Sequence, residues 1–341
     1  MSTSGKSGSP SKLVQLRHVL AAALASLTII AASHAQAAEK VVFGWLPATD
    51  ALPFFVAMQE KAFEAQGIEV VSQRFTSPTT LVDAFLSNQA EVGPFGTAPG
   101  IALVAESQNP GSLKLFGLSG GEEGTPYVNS SLLVTKGSPI RTLPELKGKK
   151  LGVIPGIQWR TNAKYILRAN GLEPDKDVLL VELGFPVQIP ALVAGTVDAL
   201  IAIEPMGSMA IASGQVESII TNIGAKYVAN PWYGGCAVMT TKFIKERPEV
   251  ARKVMLVLRN VTKEIETNFD RYRPLLAKYV GVPEAALPAV KPLKFRNDEQ
   301  VNDRDFHAVQ TVLDMLYHEK VLATPIDIHQ KFVRLADIKE K

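Results

Sequence analysis

Six short segments combine turn-forming glycine or proline with side chains able to hold a ligand: Gly44–Asp50 (GWLPATD), Phe95–Pro99 (FGTAP), Leu118–Gly121 (LSGG), Pro155–Asn162 (PGIQWRTN), Ile203–Met206 (IEPM) and Asn230–Gly235 (NPWYGG). In PGIQWRTN the Pro155-Gly156 turn places Gln158, Trp159, Arg160 and Thr161 at a helix start. Free N–H groups and the helix dipole favour an anion there. Arg160 can clamp a carboxylate or sulfonate with two parallel hydrogen bonds, and Thr161 adds a hydroxyl. The plainer reading is a solvated Arg160 and a Trp159 packed on its own helix. In FGTAP, Gly96 lets backbone approach a ligand, and Thr97 offers a hydroxyl and an N–H; Thr97 equally suits a plain N-cap. Glu204 precedes Pro205, so it either neighbours a helix cap or holds a ligand ammonium or ring N–H. Trp45, Trp159 and Trp232, the last beside Tyr233, are candidate pocket walls.

Catalytic and metal chemistry are poorly represented. No H-E-x-x-H, P-loop or G-x-G-x-x-G occurs. The five histidines are scattered, and Cys236 is the single cysteine, with no histidine near it in sequence. Neither a metal site nor a cofactor is expected, and Cys236 reads as a structural thiol that cannot form an internal disulfide.

Residues 1–37 read as a cleavable secretory signal peptide. Lys6, Lys12, Arg17 and His18 form a basic start, Val19–Ala32 is an apolar run, and Ala35 and Ala37 fit an A-x-A cleavage site. The run is shorter than the ~20 residues of a membrane span. With no cysteine near the cleavage site, a lipid anchor is not expected. The whole chain carries 36 Lys and Arg against 33 Asp and Glu. Its excess positive charge lies in the leader, so nothing suggests nucleic acid as a partner.

The segments gain meaning from the elements around them. Short apolar runs alternate with helical patterns, the signature of an α/β fold. Strands are predicted at 41–46, 68–75, 92–95, 113–118, 131–135, 150–154, 178–182, 197–203, 216–221 and 237–241. The main helices fall at 53–66, 79–87, 98–106, 158–169, 186–194 and 205–213. A helical tail follows, with helices at 249–268, 272–280, 301–318 and 328–335. Most candidate segments directly follow strands, and ligands of open α/β sheets bind outside strand carboxyl ends.

Taken in order, GWLPATDALPFFVAMQEKAFEAQGIEV, LVDAFLSNQAEVGPFGTAP, SSLLVTKGSPIRTLPELKGKKLGV and VAGTVDALIAIEP resemble the periplasmic substrate-binding proteins of ABC importers for sulfonates, taurine and nitrate. That group also includes binders of thiamine-pyrimidine precursors. The resemblance covers about residues 41–335. It implies a type II periplasmic-binding-protein fold, with two α/β lobes joined by two crossovers around a ligand cleft. Lobe one would be 40–129 and 236–341, and lobe two 130–235. Trp45, Gly96, Thr97, Gly120, Arg160, Thr161 and Glu204 fall on motif positions that line the family's cleft. The implied role is non-catalytic solute capture in the periplasm; the turn bearing Trp159 and Arg160 points to a small organic anion (a sulfonate, a carboxylate or a zwitterion), and with no exposed apolar stripe or heptad to demand a partner, a monomer is expected. A membrane permease and its ATPase would be the partners. Desulfinases similar to this group use a cysteine in the loop after the first strand, which GWLPATD lacks; pyrimidine synthases of the fold use a cysteine-rich stretch that is also missing. An enzyme on the same scaffold and a ligand-sensing partner of a membrane receptor are the alternatives.

Overall fold

In the computed structural model, which describes Met1 and residues 38–339, the apolar runs assemble into two mixed sheets. The leader reading falls on residues outside that range. Strands are numbered along the chain. The six-stranded sheet has the order β11-β4-β10-β3-β1-β2. It contains β1 (Glu39–Trp45), β2 (Ile68–Arg74), β3 (Val92–Thr97), β4 (Leu113–Gly121), β10 (Trp232–Thr240) and β11 (Lys294–Asn297). The five-stranded sheet has the order β7-β6-β8-β5-β9. It contains β5 (Ser130–Thr135), β6 (Lys149–Val153), β7 (Val178–Glu182), β8 (Ala199–Ile203) and β9 (Val216–Thr221). In each sheet a parallel core (β1 with β3; β7, β6 and β8) meets antiparallel strands. Helices cover the sheet faces, so central strands such as β8 (ALIAI) and β10 are buried along their whole length.

The chain crosses between the sheets twice, after β4 and before β10. Asn222, in the left-handed conformation, ties the two passages together. Its Oδ1 accepts the Asn129 N–H at 2.9 Å, while its Nδ2 donates to the carbonyls of Tyr127 at 2.7 Å and Glu122 at 3.3 Å. The crossovers are thus joined by side-chain hydrogen bonds, with no loose tether between them. One apolar core underlies the first sheet and extends to the junction; a second, around Leu132, Leu151, Ile166 and Leu180, belongs to the other sheet.

Helix starts follow local chemistry. The helices α1 (Leu52–Gln59), α2 (Pro78–Leu86) and α3 (Pro99–Gln108) each carry proline in the first turn. The helix expected to reach Gln66 stops at Gln59. Lys61 turns left-handed, and Phe63 folds back onto Phe43 and Phe54. Around the second sheet lie α4 (Ile157–Ala169), α5 (Phe185–Val193), α6 (Met206–Ala212) and α7 (Ile223–Tyr227). The tail comprises α8 (Thr241–Glu246), α9 (Pro248–Tyr272), α10 (Leu275–Val280) and α11 (Asp303–His318). Helix α9 breaks from helical geometry at Asn268, where its sequence periodicity ends. Buried Arg259 anchors it through paired bonds to Asp298 at 3.0 and 2.6 Å. The short elements α7 and β11 escape sequence periodicity because each is little more than a turn or a few residues long. The strand expected at Ala237 begins at Trp232, so Gly234 and Gly235 are strand residues and not a loop.

Candidate functional site

A narrow pocket lies where the loops after β1, β3, β6, β7 and β8 converge. Asp50, Gly96 and Gly234 contribute from the first-sheet side, Trp159, Phe185 and Ile203 from the second, and Asn129 from a crossover. Its empty space amounts to about 300 Å³, spread in thin gaps between close-packed side chains. A ligand therefore enters only if the lobes part, and the closed arrangement would envelop it.

Bonds between the two sides hold the pocket shut. Thr49 N–H donates to the Glu204 carbonyl at 3.2 Å, and Gly100 N–H at the start of α3 donates to Gln158 Oε1 at 2.5 Å. Ser208 Oγ donates to the Ala289 carbonyl at 2.9 Å, and Arg168 of α4 pairs with Glu319 just past α11.

The floor depends on backbone geometry. Strand β3 bulges against β10, where Cys236 opposes Thr97 but Ala237 opposes Pro94. The bulge is made by Phe95 (φ 101°) and Gly96 (φ 88°). A non-glycine residue at φ > 0 in a strand is strained, and such strain concentrates at functional sites. Phe95 is held by burial against Phe295, with ring centroids 5.4 Å apart. Gly96 then presents bare backbone to Asp50, whose Cβ would stand 3.2 Å from a Cβ added there.

Asp50 is the chemical centre of this floor. It is 2% exposed, and its Oδ1 accepts the Ser119 hydroxyl at 2.5 Å. Burial pushes its carboxyl up to about 6, outweighing the lowering effect of the Ser119 bond. Asn129 Oδ1, also buried, has no protein partner. Among the described residues lining the pocket, none is lysine or arginine. An outer chamber between Arg74 and Thr76 on one side and Pro186 and Met206 on the other shares Phe185 with the inner pocket.

The structure sorts the candidates named from sequence. Gly96 and Trp159 line the inner pocket. Trp159 also stands edge-on to Trp232, at 6.4 Å, with both indole nitrogens buried and unpartnered. Trp232 itself lines an adjoining apolar space beneath α4. Gln158 serves closure through Gly100. Glu204 is buried beside the pocket rather than in its wall: its N–H donates to the Asn129 carbonyl at 2.9 Å, and burial raises its carboxyl to about 7. Thr97 lies beneath the floor, its hydroxyl 2.7 Å from where a Cβ on Gly93 would be. Thr161 is buried without lining the pocket.

Three candidates need correction. Arg160 does not reach the pocket: its Nη2 binds both oxygens of Asp175, at 2.8 and 3.0 Å, and Nη1 lies 3.8 Å from Glu182. One residue on from Trp159, and so about 100° around the helix, this side chain points off the outer face toward carboxylates that sequence spacing did not pair with it. Trp45 packs edge-on against Phe55 and donates from Nε1 to Ser72 Oγ at 2.8 Å, as a core residue. Gly120 is demanded by strand packing, since a Cβ there would stand 1.8 Å from the Trp232 carbonyl oxygen.

Asp50, Asn129, Phe185 and Gly234 are pocket residues given no individual role by sequence reasoning. Asp50 and Gly234 sit inside segments whose position after or beside a strand marked them. Asn129 and Phe185 carry no local signal, because the crossover and the closed lobes bring them in. The run Gly117–Gly121 also spells G-x-S-x-G. It does not form a nucleophile elbow: Ser119 lies inside β4 and gives its proton to Asp50 rather than to an imidazole. Cys236 is fully buried and donates to the Thr97 carbonyl at 3.1 Å, and burial, aided by the nearby Asp50 carboxyl, raises its thiol well above the usual range. That is an environment for a thiol, not a thiolate. Among the described residues no cluster of His, Cys, Asp or Glu is arranged to hold a metal, and no helix is long and apolar enough to cross a membrane.

The same architecture recurs in solved structures. The periplasmic aliphatic sulphonate binding protein SsuA of Escherichia coli superposes with a TM-score of 0.70 at 18% identity, over 89% of this chain and 94% of that one. The periplasmic nitrate-binding protein NrtA of Synechocystis gives 0.68 at 12% identity, over 87% and 86%. The desulfurization enzyme DSZB gives 0.67 at 16%, over 88% and 98%. At such identities the likeness concerns the fold, which is that of the periplasmic binding proteins. A comparison of the sequence with curated proteins finds no match. The profile of the NMT1-like family matches residues 34–275, well over half of the sequence, and the chain belongs to that family.

Proposed function

We propose that this protein is the solute-binding component of an ABC importer. It captures a small organic molecule between its two lobes and presents the closed complex to a membrane permease whose ATPase drives uptake. The leader, if cleaved as its pattern suggests, puts that capture in the periplasm. The observation that carries the reading is the pocket itself. It is walled by both lobes, closed by bonds between them, and supplied with buried polar atoms that have no protein partner. Buried polar groups are normally satisfied, so such a cluster in a cleft fits a ligand's contribution. Family membership and the fold of the binding proteins named above support the same role.

An enzyme on this scaffold has one structural neighbour in its favour, DSZB. The deeply buried, neutral Cys236 thiol and the Ser119 hydroxyl committed to Asp50 give it no activated nucleophile.

The test is a thermal-shift panel on residues 38–341, with amines, amidines, amino-heterocycles, carboxylates and sulfonates, each mixture also analysed for conversion. Saturable stabilisation by at least one compound, recovered unchanged, is expected. Conversion of a stabilising compound would overturn the binding role in favour of an enzyme.

A further inference from the structure

We infer that the inner pocket selects a planar organic cation with N–H donors, such as an amidinium or a protonated amino-heterocycle, and that Asp50 is the residue that determines this selectivity. The inference rests on the solute-binding reading and names the ligand class of that same site.

Charge is the first argument. Asp50 is a carboxyl group buried in the pocket wall with a single neutral side-chain partner, the Ser119 hydroxyl. Buried carboxylates are ordinarily matched by a cation, and none of the described lining residues supplies one. The guanidinium nearest in sequence to the pocket helix start, that of Arg160, is held by Asp175. A ligand cation would complete the pair. An anion would instead meet an unneutralised acid in a low-dielectric space, where repulsion is strongest.

Hydrogen-bonding capacity is the second. Two polar side chains facing the space offer acceptors, the Asp50 carboxyl and the unpartnered Asn129 Oδ1, and the unpartnered Trp159 indole N–H is a donor on the same wall. Each acceptor borders a different glycine of β10. A Cβ on Gly234 would lie 2.6 Å from Asn129 Oδ1, and one on the adjacent Gly235 would lie 2.6 Å from Asp50 Oδ1. The Asp50 carboxyl suits a head that carries N–H groups. A sulfonate or carboxylate, which has only acceptors, cannot satisfy either.

Shape is the third. Trp159 and Phe185 face the space from the second lobe, and the remaining wall is largely apolar. Aromatic faces attract a delocalised cation and stack on a flat body. The tight clearance in the closed form excludes bulk and favours a thin ligand over a tetrahedral head.

Matched probes separate the alternatives. Isothermal titration of residues 38–341 with benzamidine, benzamide, benzoate and benzenesulfonate keeps the ring constant and changes only the head. Benzamidine should bind at least tenfold more tightly than benzamide, and the two anions not at all. Asp50→Asn should lower benzamidine affinity at least tenfold while changing benzamide affinity little; circular dichroism of the variant confirms its folding. Binding of benzoate or benzenesulfonate in preference to benzamidine would overturn the cation inference and leave the solute-binding role standing. Equal benzamidine binding by wild type and Asp50→Asn would also overturn it. Failure of all four probes to bind counts against the inference. If other panel compounds then stabilise the protein, the binding role survives; if none does, it falls too.

Discussion

Asp50→Asn is expected to make the ligand-free protein more stable at neutral pH. The folded carboxyl titrates at about 6, against an ordinary value of 3.8, because it is wholly buried. The folded state therefore holds the proton more tightly than the unfolded chain. The sign follows from linkage: stability falls as pH rises from about 4 to about 6 and stays lower above that. At 1.36 kcal/mol per pKa unit, the ionised side chain costs up to about 3 kcal/mol at pH 7.5. Asparagine keeps an oxygen to accept the Ser119 hydroxyl and carries no charge, so most of that cost disappears. In thermal melts, wild type and variant should coincide near pH 4. The variant's Tm should lead by several degrees at pH 7.5, since roughly 2–4 °C accompany each kcal/mol in domains of 150–250 residues. A variant that melts lower than wild type at pH 7.5 would show that the carboxylate is already compensated. A residue that weakens the fold where it could easily be replaced is the mark of a functional position.

Gly234→Val should have the opposite profile, with binding lost and stability kept. In the closed form a Cβ at this position would lie 2.6 Å from Asn129 Oδ1 and 3.1 Å from Trp159 Cη2. Both distances are shorter than ordinary contact, and Trp159 belongs to the opposite lobe, on α4. The open form relieves the clash with Trp159 without unfolding either sheet, while the terminal amide of the Asn129 side chain turns aside in either form. Overpacking of this kind costs about 1–3 kcal/mol. Charged against the closed state alone, that corresponds to a loss of affinity of roughly 5- to 150-fold. The ligand-free Tm should stay within a few degrees of wild type, while the shift given by any compound that stabilises the wild type shrinks or vanishes. Unchanged ligand stabilisation in the variant would mean that the lobes do not close on the ligand as they meet here.

These two residues also show what could be read from the sequence. The α/β architecture was legible because period-2 and period-3.6 patterns report burial directly, and β8 and α9 lie close to where those patterns place them. The segments after the strands were legible because turn chemistry marks them: Gly96 and Trp159 were reached that way. Which side chain of a segment faces the ligand was not legible. Arg160 looked like the anion clamp, yet a single residue step, about 100° around the helix, separates the pocket-facing Trp159 from it, and Asp175 and Glu182 come from elements that only the folded lobe brings near. Asp50 stood in a marked segment, but its burial depends on Ser119 and Gly235 from two other strands. Asn129 and Phe185 enter the pocket through the crossover and through lobe closure, which have no sequence period at all.

Hydrogen exchange tests the central claim most directly. The amides of residues 38–339 would be followed with and without the panel compound that raises Tm most. Closure of both lobes on a ligand in this pocket predicts slowed exchange in 46–51, 96–101, 129–131, 156–161, 184–187, 203–206 and 232–236, drawn from both sheets together. Protection confined to one lobe, or centred on the surface groove around His307 and His329, would contradict it.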